Sequence, residues 1–237
     1  MMLGARTSAW AKSGGVPTAK DYVQDGLVFQ LDGIENAGYG VHDSNPSYWL
    51  DLEDGFHLLP NSASKMPKCN VDSFGPFRDE SGVDIGYFNS KTRPQLVEEM
   101  VGSAVGAIEC VWKDENITYN NGRLLDIFGN NYIQFNTDDF SEGILGLSWG
   151  VSNYNKGLTI HDQSLSLCSD GFTINRYSRG YLKSSSTEPI ASTTTSLFRF
   201  GYYVQAKLCS IRIYNKSLTA DQVSVNYAID KARFNLP

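Results

Sequence analysis

From Cys209 to Tyr214 apolar and polar positions alternate. Cys209, Ile211 and Ile213 fall on one face of an extended segment, and Ser210, Arg212 and Tyr214 on the other, which is the pattern of a half-buried strand. The alternation stops at Asn215-Lys216-Ser217, where a helix start follows. Thr219 is placed as N-cap, Gln222 closes a capping box, and Leu218 with Val223 are spaced for a hydrophobic staple. The spacing predicts a short helix to about Lys231.

The same period marks other strands. Leu27, Phe29 and Leu31 alternate with Val28, Gln30 and Asp32, and residues 104–112 read as a core strand in which Ile108, Cys110 and Trp112 share a face. Residues 123–128 and 132–135 flank Gly129-Asn130-Asn131, a hairpin turn. Residues 143–149, 157–160, 164–168 and 172–177 add strands at the spacing of an antiparallel sandwich, with shorter ones over 56–59 and 82–88. Ser184-Ser185-Ser186-Thr187 and Ser192-Thr193-Thr194-Thr195 read as polar loops. The fold class is therefore all-β, an antiparallel β-sandwich with a short C-terminal helix.

Composition narrows the picture. A chain of 237 residues can bury one sizeable core, and 22 glycines with 12% aromatic and 19% charged residues suit a turn-rich sandwich. A net charge of −6 without a basic run argues against a nucleic-acid partner, whose phosphates need clustered Lys and Arg. No apolar stretch reaches the length of a membrane span. Residues 1–20 read as an N-terminal arm or linker ahead of a domain at 21–237, and the start, broken by Arg6 and Lys12, does not have the pattern of a conventional signal peptide. The four cysteines, at 69, 110, 168 and 209, form no C-x-x-C pair, so reduced core thiols are expected; a disulfide between two of them stays open.

The run Ile211-Arg212-Ile213-Tyr214-Asn215-Lys216-Ser217-Leu218-Thr219, with Asn226-Tyr227 on the capped helix, resembles the closing strand and terminal helix of laminin-G-like domains in the concanavalin A-like lectin/glucanase superfamily. The opening is similar as well: Asp25-Gly26-Leu27 leads into a strand, Leu31-Asp32-Gly33-Ile34 leads out, and Trp49 with Asp51-Leu52 follows. The resemblance brackets residues 21–234 and implies a jelly roll of the kind found in gut bacterial and bacteriophage proteins. It implies a recognition or structural module on a virion surface or appendage, with a glycan or cell-surface ligand, a protein partner held by the N-terminal arm, and oligomers or a larger assembly. The alternatives are a glycoside hydrolase and a bacterial surface adhesin.

The glucanase relatives carry a Glu-x-Asp-x-x-Glu cluster on a strand, and this chain has none. Its acidic pair two apart is Asp51 and Glu53, and adjacent pairs such as Glu98-Glu99 point to opposite faces of a strand. No catalytic residue is assigned. Asp32, Glu35, Asn36 and Asp43 crowd a glycine-rich loop with hard oxygen donors, a candidate calcium set. Among aromatics at loops and strand ends, which include Tyr39, Tyr48 and Trp49, the ligand-binding candidates are Tyr154, Tyr177, Arg179, Tyr202 and Tyr203.

Overall fold

The computed structural model describes residues 15–61, 66–79, 81, 83, 85–89, 105–113, 123–127, 131–136, 144–148, 160–187, 198–202 and 204–237. Its strands are β1 (Leu27–Asp32), β2 (Trp49–Leu50), β3 (His57–Leu58), β4 (Phe88–Asn89), β5 (Val105–Lys113), β6 (Arg123–Ile127), β7 (Asn131–Asn136), β8 (Ile144–Ser148), β9 (Ser164–Asp170), β10 (Ile174–Ser178), β11 (Tyr181–Ser186), β12 (Phe198–Tyr202) and β13 (Lys207–Tyr214). Helix α1 (Ala220–Phe234) closes the chain. One sheet of six strands runs β1-β13-β5-β9-β10-β11, a second of five runs β4-β12-β6-β7-β8, and β2 with β3 forms a separate ribbon. The pairings between these strands are antiparallel.

Alternating side chains close the two sheets over one core. Phe29, Leu31, Ile108, Cys110, Trp112, Leu165, Leu167, Leu208, Ile211 and Ile213 point inward from the larger sheet. They meet Phe88, Leu124, Leu125 and Phe200 from the smaller one, and the Phe29 and Phe200 rings stack at 5.6 Å. The ribbon joins this core through Trp49 and Leu58. The fold is the all-β sandwich with one C-terminal helix that the alternation predicts.

Bulges change which residues face inward. A register shift between Leu27 and Phe29 turns Leu27 away from the core to join Tyr214, Leu218 and Val223 under the helix. Another, between Leu208 and Ser210, puts Leu208 in the core and Cys209 beside Val111, Phe234 and Leu236. Cys209 therefore does not share the face of Ile211 and Ile213. All four cysteines are free thiols, three of them buried and Cys69 half-buried.

The outer face of β13 also departs from expectation. Ser210, Arg212 and Tyr214 are buried, because α1 lies across them. The helix begins as its sequence dictates: Thr219 accepts from the Gln222 amide, and the Gln222 side chain accepts from the Thr219 amide. It runs three residues beyond Lys231 and ends at Asn235 in the left-handed conformation, whose N–H reaches the Lys231 carbonyl. Thr219→Ala is expected to cost about 1 kcal/mol, read as a lower urea midpoint with an unchanged slope.

Other differences follow from short or edge elements. The serines at 184–186 form the outer half of β11, an edge strand whose polar side chains hide its pairing with β10. Ile160 opens a 3-10 turn, Ile160–Asp162, where a strand was expected, and of the described residues among 82–88 only Phe88 is in a strand. The Gly129-Asn130 turn lies outside the described residues, but β6 and β7 pair as its flanking hairpin. Pro17 and Ala19, placed by the sequence reading in an arm outside the domain, are buried against it.

Candidate functional site

The predicted calcium loop leaves β1 at Asp32 and turns back toward β2. Asp32 Oδ1 accepts from the Ile34 and Glu35 amides, and both carboxylates meet the Arg233 guanidinium from α1, each at 2.8 Å. Glu35 also accepts from the Ala19 and Gly40 amides. The Asn36 amide spans the loop to the backbone of Asp43, whose own carboxylate accepts from the Asn45 amide. The oxygens read as a calcium set thus hold the loop and α1, and among the described residues no group of three or more His, Cys, Asp or Glu side chains converges on a common point.

Burial alone would push the Glu35 carboxyl up, yet the Gly40 and Ala19 amides and Arg233 outweigh it, and the group lies below its ordinary value of 4.5. A depressed carboxylate contributes stability above its unfolded value, and that contribution is lost as pH falls through the folded one. Glu35→Gln is expected to flatten the loss of thermal stability on acidification below pH 4.5, measured by melting at stepped pH.

The described members of the predicted ligand set, Tyr177, Arg179 and Tyr202, lie on different strands and turns. Tyr177 is buried under α1 with Cys168 and Tyr214. Arg179 and Gly180, both at positive φ, make the two-residue turn between β10 and β11, and Arg179 donates to the His161 and Asp162 carbonyls. Tyr154 and Tyr203 lie outside the described residues. The acidic pair is committed elsewhere: Asp51 is buried and accepts from the Gln30 and Glu53 amides, while Glu53 accepts from the Tyr39 hydroxyl.

Tyr202 stands in different surroundings. Phe200 points into the core, and Gly201 follows with φ of +77°, where a Cβ would meet the Phe77 ring at 2.4 Å. Tyr202 emerges half-buried beyond it. Its ring meets Tyr87 edge to face at 5.1 Å, and the Arg199 guanidinium sits 4.7 Å above it.

The neighbouring chain extends this face. Residues 59–61 run beside β4: the Asn89 amide donates to the Leu59 carbonyl, Pro60 bridges Phe88, and the Asn61 amide donates to the Tyr87 carbonyl. Since Leu58, Phe88 and Phe200 point inward, their strand neighbours His57, Leu59, Tyr87 and Arg199 point outward. His57 stacks on Tyr48 at 3.8 Å with the rings 2° from parallel. Beside them is an open hollow of about 500 Å³ lined by Asp54, Gly55, Phe56, His57 and Leu59. The result is a strip with a ring pair at each end: Tyr48 and His57 at one, Tyr87 and Tyr202 at the other, with exposed Leu59 between.

The sequence pointed to Tyr202 and included Tyr48 among its aromatics, but passed over His57, Tyr87 and Arg199. Their elements are two to five residues long, too short for a period to show which side faces out. Anchoring the alternation on Phe88 and Phe200 would have found Tyr87 and Arg199.

No protein-family model and no curated protein sequence matches the chain. Solved structures share its fold. The receptor binding domain of botulinum neurotoxin C/D mosaic serotype aligns with a TM-score of 0.59 at 9% identity, over 87% of this chain and 52% of that one. Trypanosoma rangeli sialidase in complex with sialic acid aligns with a TM-score of 0.55 at 15% identity, over 92% of this chain and 34% of the sialidase. A mutant of the same sialidase displaying trans-sialidase activity gives a TM-score of 0.57 at 13% identity, over 95% of this chain and 36% of that one. The chain thus spans from about a third to about half of the length of these structures. At such identities the likeness is one of fold.

Proposed function

We propose that this chain is a non-catalytic recognition module of the laminin-G-like, concanavalin A-like type, which binds glycans on the strip that runs from the β2–β3 ribbon to the outer side of β12 in its smaller sheet. The observation that carries the reading is the pairing of Tyr202 with Tyr87 and Arg199, and of Tyr48 with His57, at outward-pointing positions that are half-buried or, for His57, exposed. Ring faces of aromatic side chains accept the apolar faces of sugars, and polar tips and guanidinium donors bond hydroxyls. The fold likeness to a sialidase solved in complex with sialic acid supports a sugar as the ligand class.

The setting is a bacteriophage virion surface or appendage. The resemblance of the opening and closing segments supports this, with the residues ahead of Pro17 reaching a protein partner and oligomerisation raising avidity where each site is weak. The test is a glycan array probed with the wild-type protein and with Tyr202→Ala. Binding by the wild type and a loss of about tenfold or more in the variant are expected, with melting temperatures alike, because Tyr202 is only half-buried. Equal binding by the two proteins, or glycan turnover by the wild type, would overturn the reading.

A further inference from the structure

Resting on that reading, we infer that the ligand is an extended β-linked oligosaccharide which occupies both ring pairs at once, and not a single sugar. The two pairs are joined by one continuous backbone path. His57 and Asn61 lie on the same extended segment, Asn61 is hydrogen-bonded to Tyr87, and Tyr202 stands one strand further on, in β12. Four residues of extended rise and two inter-strand spacings separate the pairs by roughly 15 Å. A pyranose ring is too small to touch both ends, so a ligand that uses the whole strip must be a chain.

The middle of the strip agrees with this. Leu59 is 47% exposed, an apolar step between the ring pairs, and Phe56 and Asp54 line the hollow beside His57. Equatorial β-1,4 links give a flat, straight chain whose rings present apolar faces in succession, while α-1,4 links make it coil. A straight line of platforms on a sheet suits the first shape. Each further ring that reaches a platform adds a contact without a second loss of translational freedom, so affinity climbs with length until the strip is full.

The experiment is titration calorimetry of the full chain with β-1,4-linked oligomers of glucose, N-acetylglucosamine and mannose, from one to six units, and with α-1,4-linked glucose oligomers as comparison. In at least one β series, affinity should rise about tenfold or more from one unit to four and then level off. Amide signals near His57 and near Tyr202 should shift together on adding the four-unit chain. His57→Ala and Tyr202→Ala should each lower the affinity for four units and abolish the gain with length. Binding that is independent of length, or shifts confined to one ring pair, would overturn the inference while leaving glycan binding intact. A positive array without affinity for any β-1,4 series would overturn the linkage class, and a blank array would overturn the parent reading.

Discussion

Arg212→Ala is expected to lower the unfolding free energy by about 3 to 5 kcal/mol at neutral pH, read by urea denaturation. The guanidinium is 1% exposed beneath α1 and is the shared cation of a buried set. Its Nη1 and Nη2 donate to the two oxygens of Asp230 at 2.8 and 2.7 Å, Nε donates to Glu109 at 2.9 Å, and the Tyr22 ring lies 3.9 Å from its central carbon. Glu109 also accepts from Asn226 and Ser166, and Asp230 from the Tyr22 hydroxyl. Truncation leaves two carboxylates in a dry interior without a cation, and that accounts for the size of the effect.

The pH dependence of this variant follows from the same groups. Burial pushes the Asp230 carboxyl upward and Arg212 opposes the push, so removing Arg212 raises Asp230 further. A carboxyl raised in the folded state contributes stability at low pH that is lost as pH rises through the folded value. The deficit of Arg212→Ala is therefore expected to shrink between neutral pH and about pH 5. A deficit that stays constant over that range would show that Asp230 does not take up the proton. Arg212→Lys should fall between wild type and alanine, because an ammonium cannot reproduce the forked contact with Asp230.

Trp49→Ala is expected to cost about 3 to 5 kcal/mol by the same measurement. The indole is fully buried, 4.4 Å from the Phe74 ring and 5.5 Å from Phe88, and its Nε1 donates to the Asp32 carbonyl at 3.0 Å. Trp49→Phe retains most of the apolar contact but strands that carbonyl, and about 1 to 3 kcal/mol is expected. Trp49 also anchors the ribbon beside Tyr48, so the alanine variant should weaken glycan binding at the Tyr48 and His57 end. Retained affinity in a folded Trp49→Ala protein would separate the ribbon from the site.

The two-sheet architecture was readable because long strands such as β5 and β13 carry enough alternation to fix a period, and the capping box of α1 is a local bonding pattern. What the pattern hid was the second burial of β13. Ser210, Arg212 and Tyr214 look like a solvent face until the helix that begins at Ala220 covers them, where Asp230 accepts from Arg212 and Asn226 donates to Tyr214. The bulges beside Val28 and Cys209 were equally hidden, since one extra residue leaves no compositional mark yet exchanges inward for outward. At the candidate site, Tyr177 had the chemistry of a ligand contact but the position of a core residue, while Tyr87 and His57 had the position without a readable strand around them.

The polar stitching of Pro17, Tyr22 and Val23 to Arg233, Asp230 and Asn226 ties the early and late parts of the chain to the back of the slab, and the ring pairs stand on its front. A ligand that approaches the aromatic side therefore meets none of these buried polar contacts, and the two faces of the domain can be altered independently.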